Sequence, residues 1–288
     1  MRFDRQLTTA FFHPLQRAGL GAGGFRVPIL MYHSLSADRE VGVAPYYKTN
    51  TDPLIFRQQM HFLASQGYKT ANLSQVVRWL RGGRPPEKNT VVITFDDGFR
   101  DFLLHGFPAL LAHGFTATMF LATAFVGSQA RSFDGKQCLS WPEVRELAQA
   151  GISFGSHTVN HPELANLSEQ DIRRELRDSR AEIEQQLGQP ATSFACPYAF
   201  PQANRLFAAT LRDLLMQTGY SCCVTTELGR VKAFDDPYRM KRLPANSCDD
   251  PGLFRAKLEG GYDWLGLPQR ALKLLKNSIR ADPPASRQ

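Results

Sequence analysis

Short apolar runs alternate along the chain with amphipathic stretches of helical period, and turn residues fall at the joints. Val27–His33 is an apolar run ending in polar residues, the pattern of an interior parallel strand. Asp52-Pro53 then supplies an N-cap with proline in the first turn. Phe56, Met60 and Leu63 share one face, and Gly67 is placed to end that helix. Tyr68–Asn72 reads as a strand and Ser74–Arg81 as a short helix closed by Gly82-Gly83. The series continues with a strand at Val91–Asp97, a helix at Phe102–His113 and a strand at Ala117–Thr123. Ser140 caps a helix running to about Ala150, Gly151 stops it, and Ile152–His157 is the next strand. Ser168 and Asp171 resemble a capping box at the start of the longest helix, which runs to Leu187 and Gly188. Ser193–Tyr198, Ser221–Thr226 and Arg239–Ala245 complete the strands, with a helix from about Ala203 to Thr218 between the first two.

Repeated βα units of this length predict an α/β fold: a parallel sheet covered by helices and closed, or nearly closed, into a barrel. Functional groups are then expected at the C-terminal ends of the strands. The predicted division is an N-terminal extension over 1–26, a barrel over 27–265, and a basic amphipathic C-terminal helix and tail over 266–288. In Pro268–Arg280, Ala271, Leu274, Leu275 and Ile279 share a face, with Arg270, Lys273, Lys276 and Arg280 largely off it. Such a helix either docks on the barrel or makes peripheral contact with a membrane.

Composition narrows this picture. Of 288 residues, 43% are hydrophobic and 21% charged, which excludes a disordered or fibrous chain. Lys+Arg 34 against Asp+Glu 27 leaves +7, which suits an acidic polymer or a phosphate-bearing membrane face but is too diffuse to predict nucleic-acid binding. The five cysteines contain no C-x-x-C pair and read as reduced thiols. His13 and Pro14 interrupt the apolar stretch near the N-terminus, so it does not read as a secretory leader. No Asp, Glu, Lys or Arg lies between Asp101 and Arg131, yet Pro108, His113 and Gly114 divide that stretch into a helix and a strand rather than a membrane span. A soluble, cytoplasmic protein, with the inner membrane face as a peripheral site, is the expectation.

Three strand ends carry chemistry. Thr94-Phe95-Asp96-Asp97-Gly98 ends the run Val91-Val92-Ile93. It is either a solvated Asp-Gly turn or a pair of carboxylates whose repulsion a cation or shared proton offsets. Gly155-Ser156-His157-Thr158-Val159-Asn160-His161-Pro162 places two imidazoles four residues apart. With one carboxylate they make a three-ligand set with an open position, the catalytic form of a zinc site. Phe194-Ala195-Cys196-Pro197-Tyr198 ends the third strand and alone reads as a turn with a packed ring.

Together, and in this order, the T-F-D-D-G, S-H-T-x-x-H and P-Y stretches resemble the polysaccharide deacetylase family (NodB-homology domain, carbohydrate esterase family 4) over roughly Val27 to Ala245. The resemblance implies a distorted (β/α)7-type barrel with parallel strands and metal-dependent removal of N-acetyl groups from a sugar. It implies Asp96 as general base, Asp97, His157 and His161 as metal ligands, and the Tyr198 backbone N–H at the oxyanion pocket. Three features depart from the family's commonest pattern: no Arg precedes Pro197-Tyr198, Ala199 follows the tyrosine where Gly is frequent, and no L-x-H motif follows the later strands. Met31-Tyr32-His33 resembles the subset with a rearranged motif order, which implies His33 as general acid. Arg242, in Lys241-Arg242-Leu243-Pro244, is either the partner that orients Asp96 or a surface cation.

The expected cofactor is a divalent metal ion, zinc first, with cobalt, nickel and iron accepted by the same donors. The expected partner is a glycan, an N-acetylhexosamine-containing polysaccharide or lipid-linked saccharide of exopolysaccharide biosynthesis. A non-catalytic carbohydrate-binding barrel and a deacylase for another amide or ester are the alternatives. Trp141, Phe99, Phe125 and Phe133, with Tyr46 and Tyr47 of the Ala37–Thr51 loop, are either sugar-stacking rings or packing residues.

Overall fold

The computed structural model describes residues 2–18 and 24–272. Seven parallel strands close into a barrel: β1 (Ile29–Tyr32), β2 (Thr90–Phe95), β3 (Thr118–Leu121), β4 (Ser153–Ser156), β5 (Ser193–Ala195), β6 (Cys222–Leu228) and β7 (Met240–Pro244). Each pairs with the next in sequence, and β7 pairs back with β1, which closes the ring. A two-residue strand, Lys69–Thr70, adds to the start of β2, and Arg26–Val27 pairs antiparallel with Val231–Lys232 outside the ring.

Alternation along the strands sorts side chains between lumen and helical coat. Ile29, Val92, Phe120, Ala195, Cys222, Val224 and Met240 cluster together with Leu73, Val76 and Val77, so a helix plugs the lower mouth of the barrel. That helix is α2 (Leu73–Leu80), and α1 (Pro53–Ser65) precedes it. Leu30, Tyr32, Ile93 and Phe95 point the other way and pack with Phe56 and Met60 of α1. Gly155 belongs to the lumen set because a Cβ there would lie 2.7 Å from the Phe120 ring. By the same parity His33, Asp96, His157 and Arg242 continue the lumen-facing positions of β1, β2, β4 and β7 upward.

The helical coat follows from local capping. Asp52 accepts the Leu54 N–H at the start of α1, and Ser168 accepts the Asp171 N–H at the start of α5 (Glu169–Leu187), where Gly188 ends the helix in left-handed conformation. Ser140 and Glu143 form a reciprocal box on α4 (Trp141–Gln149). Asn72, read as the last residue of a strand, instead caps α2 in a box with Gln75. The helix predicted over Phe102–His113 is split: Phe107 N–H reaches back five residues to Phe102 O before α3 (Phe107–Leu111) begins. Pro108 explains the wide turn, since its ring lacks an N–H and would clash with the carbonyl four residues earlier. His13 N–H reaches Thr8 O in the same way just before Pro14. Beyond α6 (Arg205–Gln217), Asp250 and Pro251 start an unpredicted helix, α7 (Pro251–Glu259).

The N-terminal helical segment lies against α7 and the residues on either side of it. Arg2 donates to Cys248 O at 2.6 Å, the Phe12 ring stacks on Trp264 at 4.7 Å, and His13 Nε2 lies 2.7 Å from Glu259. Residues 266–272 are helical, and Gln269 Nε2 donates to Thr226 O at the end of β6. The remainder of the predicted amphipathic helix, from 273 onward, falls outside the described residues. No helix among those described is long and apolar enough to cross a membrane.

Candidate active site

Side chains from four strands, β1, β2, β4 and β7, meet over the lumen. Asp96 is buried and bound in both oxygens by Arg242: Nη1 to Oδ1 at 2.7 Å and Nη2 to Oδ2 at 2.8 Å. Arg242 is itself fully buried rather than a surface cation. Its Nε donates to Thr225 O at 3.0 Å and Nη1 to Thr94 Oγ1 at 3.3 Å, while Thr94 donates to Leu30 O at 2.7 Å. Burial alone would raise the Asp96 pKa, but the Arg242 charge, with His157 and the paired hydrogen bonds, overrides it and holds the carboxyl well below the usual range. Asp96 is therefore an ionised carboxylate with a fixed plane. His33 Nε2 stands 3.8 Å from Asp96 Oδ2, and burial pushes its pKa down against the pull of Asp96.

Asp97 turns the other way. Its φ of 72° swings the side chain to His157 and His161, whose Nε2 atoms lie 3.5 and 3.4 Å from Oδ1. One donor atom from each of Asp97, His157 and His161 lies within 4.8 Å of the others. Asp97 Oδ1 is buried and has no hydrogen-bond partner. Burial, and then the neighbouring Asp96 charge, push the Asp97 carboxyl well above its ordinary value. Desolvation lowers His157 to about 4 and, together with His157, lowers His161 to about 3. His157 Nδ1 lies 2.8 Å from Ala195 O, so it carries the proton and leaves Nε2 as a lone pair. An orphaned carboxylate oxygen facing two imidazole Nε2 atoms, that of His157 fixed as a lone pair, is a donor set that suits a divalent ion, so these residues fit a metal.

Backbone strain concentrates here. Asp97, Thr158, His161 and Tyr198 all hold positive φ without being glycine, a cost of order 1–3 kcal/mol each that a fold sustains where the geometry is needed. Thr158 Oγ1 accepts the His161 N–H at 2.9 Å and donates to His157 O, so one side chain ties the two histidines together.

Aromatic rings form the rim. The His161 ring sits between Phe133 at 4.9 Å and Tyr198 at 4.7 Å. Phe125 lies 4.4 Å and Phe99 6.2 Å from Phe133. Phe133 is on an unpredicted hairpin, Ser132–Phe133 and Lys136–Gln137, turned by Asp134-Gly135. Trp141 is buried in the core, and Tyr47 is exposed. Lys136 at the hairpin's far side donates to Ser34 Oγ at 2.6 Å and Asn50 Oδ1 at 2.7 Å, fastening the hairpin to the loop that carries His33. Thr94, Thr158 and Lys136 were not singled out by sequence. Only Thr94, two residues before Asp96 on the same strand face, carried a usable signal.

Comparison with known proteins places the chain in a family. The sequence profile of the family described as polysaccharide deacetylase matches residues 83–222. YxkH of Bacillus subtilis, which bears the family's name, is 30% identical over 234 residues, spanning 81% of this chain and 76% of that protein. The chain belongs to the polysaccharide deacetylase family. Poly-beta-1,6-N-acetyl-D-glucosamine N-deacetylase of Escherichia coli K12 is 31% identical over 113 residues, 36% of this chain and 17% of that protein. The deacetylase PplD of Streptococcus pyogenes, solved in complex with acetate, superposes with a TM-score of 0.70 at 26% identity, covering 82% of this chain and 99% of that one. The barrel is thus that of the polysaccharide deacetylases, and the family's hydrolytic action on glycans is this chain's general activity.

Proposed function

We propose that the protein is a metal-dependent hydrolase removing N-acetyl groups from an N-acetylhexosamine-containing polysaccharide or lipid-linked saccharide, in exopolysaccharide biosynthesis. One observation carries the reading: an arginine-ionised carboxylate, Asp96, stands beside the orphaned Asp97–His157–His161 donor set. The named substrate of the Escherichia coli relative and the acetate bound to PplD support the acyl group and the sugar.

Asp97, His157 and His161 would hold the ion, which in such a site lowers the pKa of a water to ~7 and polarises a carbonyl. Asp96 accepts the proton of the attacking water at Oδ2, with Arg242 keeping that oxygen ionised and in place. His33, whose Nε2 stands 3.8 Å from Asp96 Oδ2, would deliver a proton to the leaving amine as general acid. The Tyr198 N–H, turned by its left-handed backbone, supplies a donor to the developing oxyanion, a contribution of about 10²–10³ in rate. The half-buried ring of Phe133 offers a face for the pyranose.

Acetate release from N-acetylglucosamine oligomers is the direct test, with chelation and divalent-ion add-back. Chelation is expected to abolish release and the ion to restore it. Asp96→Asn is expected to keep its ion while turnover falls about 10²–10⁴-fold. Release that survives exhaustive chelation, or full turnover in Asp96→Asn, overturns the mechanism. Glycan binding without release identifies a carbohydrate-binding barrel instead.

A further inference from the structure

Glu175, on α5, touches neither the lumen nor the three donor side chains, yet its carboxylate is committed to the segment that joins His157 to His161. Oε2 accepts the backbone N–H groups of Val159 at 2.7 Å and Asn160 at 3.0 Å, and Oε1 accepts Asn160 Nδ2 at 2.7 Å. Two successive N–H groups converging on one oxygen form an anion-binding nest, here filled by the protein's own carboxylate. One turn further along α5, Ser179 holds the other end of the segment. Thr158 N–H donates to Ser156 Oγ at 3.1 Å, and Ser156 and Ser179 hydroxyls lie 2.6 Å apart. Ser179 Oγ donates in turn to Glu175 O at 2.6 Å, so the chain of donors runs in one direction from the loop into the helix.

The loop needs this support. Thr158 and His161 both hold left-handed backbone without being glycine, at φ 72° and 54°. Such conformations persist only where the surroundings over-determine them. Charge-assisted hydrogen bonds from two backbone amides are strong fixings for so short a loop.

We propose that Glu175 is a positioning residue for the metal centre: by filling the Val159–Asn160 nest it holds the His157–His161 loop in its strained form, and so sets the affinity of the site for a divalent ion. The inference rests on the reading of Asp97, His157 and His161 as ligands. It predicts that outer support is felt as ion affinity, by about 10- to 100-fold, as is usual when such partners are removed.

The probe is Co(II), titrated into the chelator-stripped full chain and followed by its d–d absorption and by competition with a chromophoric chelator. Glu175→Leu, which keeps helix propensity and the aliphatic stem, is expected to weaken Co(II) binding about 10- to 100-fold. Glu175→Gln retains a carbonyl oxygen for the two N–H groups and is expected to stay within about threefold of wild type. Amide hydrogen exchange in the peptide containing Val159 and Asn160 is expected to quicken in Glu175→Leu only, with the unfolding midpoint of the metal-free protein little changed. Should Glu175→Leu fail to fold, Glu175→Asp, one methylene too short for the nest, takes its place with the same expectation. Wild-type Co(II) affinity in whichever of the two folds overturns the inference. A wild-type protein that binds no Co(II) overturns the ligand assignment itself, a separate failure.

Discussion

Arg242→Leu is expected to cost about 3–5 kcal/mol of stability, the usual penalty for leaving one charge of a buried pair without its partner. Turnover is expected to fall about 10²–10⁴-fold in the same variant, the range for losing a general base. Both effects have one origin. Arg242 binds both oxygens of Asp96 in a fully buried fork, and nothing else opposes the desolvation of that carboxylate so directly. Without it, burial raises the Asp96 pKa, and a base that is protonated near neutrality accepts no proton from water. The sign of the pH dependence follows. In the wild type, the folded Asp96 pKa lies below its unfolded value of about 3.9, so the pair's stabilisation is present above that value and is lost as the pH falls through the folded pKa. In Arg242→Leu the folded pKa lies above the unfolded one, so the variant loses stability as the pH rises. The gap between the two proteins is therefore widest at neutral pH and narrows in acid below about pH 4. Replacing both partners, Asp96→Leu with Arg242→Leu, is expected to regain most of the stability and none of the activity, because no buried charge is then left alone. Denaturant unfolding from pH 3 to 8 and acetate release check the set. Wild-type turnover in Arg242→Leu would remove the arginine from the mechanism.

The parts of this fold that sequence disclosed are those governed by interactions within a few residues. Asp52-Pro53 and Ser168 start their helices as expected because a side-chain oxygen needs only the amides two or three positions ahead. The same signature, Asp250-Pro251, begins the unpredicted α7. Asp134-Gly135 likewise matched a tight hairpin turn, and it carries Phe133 to the rim. Asn72 sat at a boundary where strand and cap compete, and Gln75 three residues on decides for the cap. Donor types and their order along the chain pointed to the candidate site. Its contacts required three dimensions: Arg242 lies 146 residues from Asp96, and no local pattern distinguishes a buried arginine from an exposed one. Strand parity supplies the missing link once the barrel's direction is known, since Val92, Thr94 and Asp96 on β2, and Met240 and Arg242 on β7, turn to the same lumen. Glu175 had no such signal, being one of several acidic residues on a highly charged helix.

Asp97→Asn is expected to move stability in opposite directions with and without an ion. In the metal-free protein Asp97 is an unfavourable group: buried, beside the Asp96 charge, with Oδ1 lacking any donor. An asparagine amide placed there removes the repulsion. Its amide group would face the Nε2 atoms of His157 and His161, now 3.5 and 3.4 Å from Oδ1, with that of His157 an acceptor. Relief of an unsatisfied buried group is worth about 1–3 kcal/mol, so the variant is expected to unfold later than wild type in chelator. The pH sign agrees. The folded pKa of Asp97 lies above its unfolded value of about 3.9, so metal-free wild type has the full contribution of this group only below that value and loses it as the pH rises through the folded pKa. The asparagine variant has no such loss, and its advantage therefore grows from acid toward neutral pH. With zinc present the order reverses. An ion at a hundred times its dissociation constant stabilises the protein that binds it by about 2.7 kcal/mol. The variant, having exchanged the carboxylate of the proposed ligand set for a neutral amide, is expected to bind at least about a hundredfold more weakly and to gain little. Thermal unfolding of both proteins in chelator and in excess zinc, from pH 5 to 8, reads the crossing directly. A variant less stable than wild type in chelator, or equally stabilised by zinc, would mean that the buried carboxylate serves the fold and not an ion.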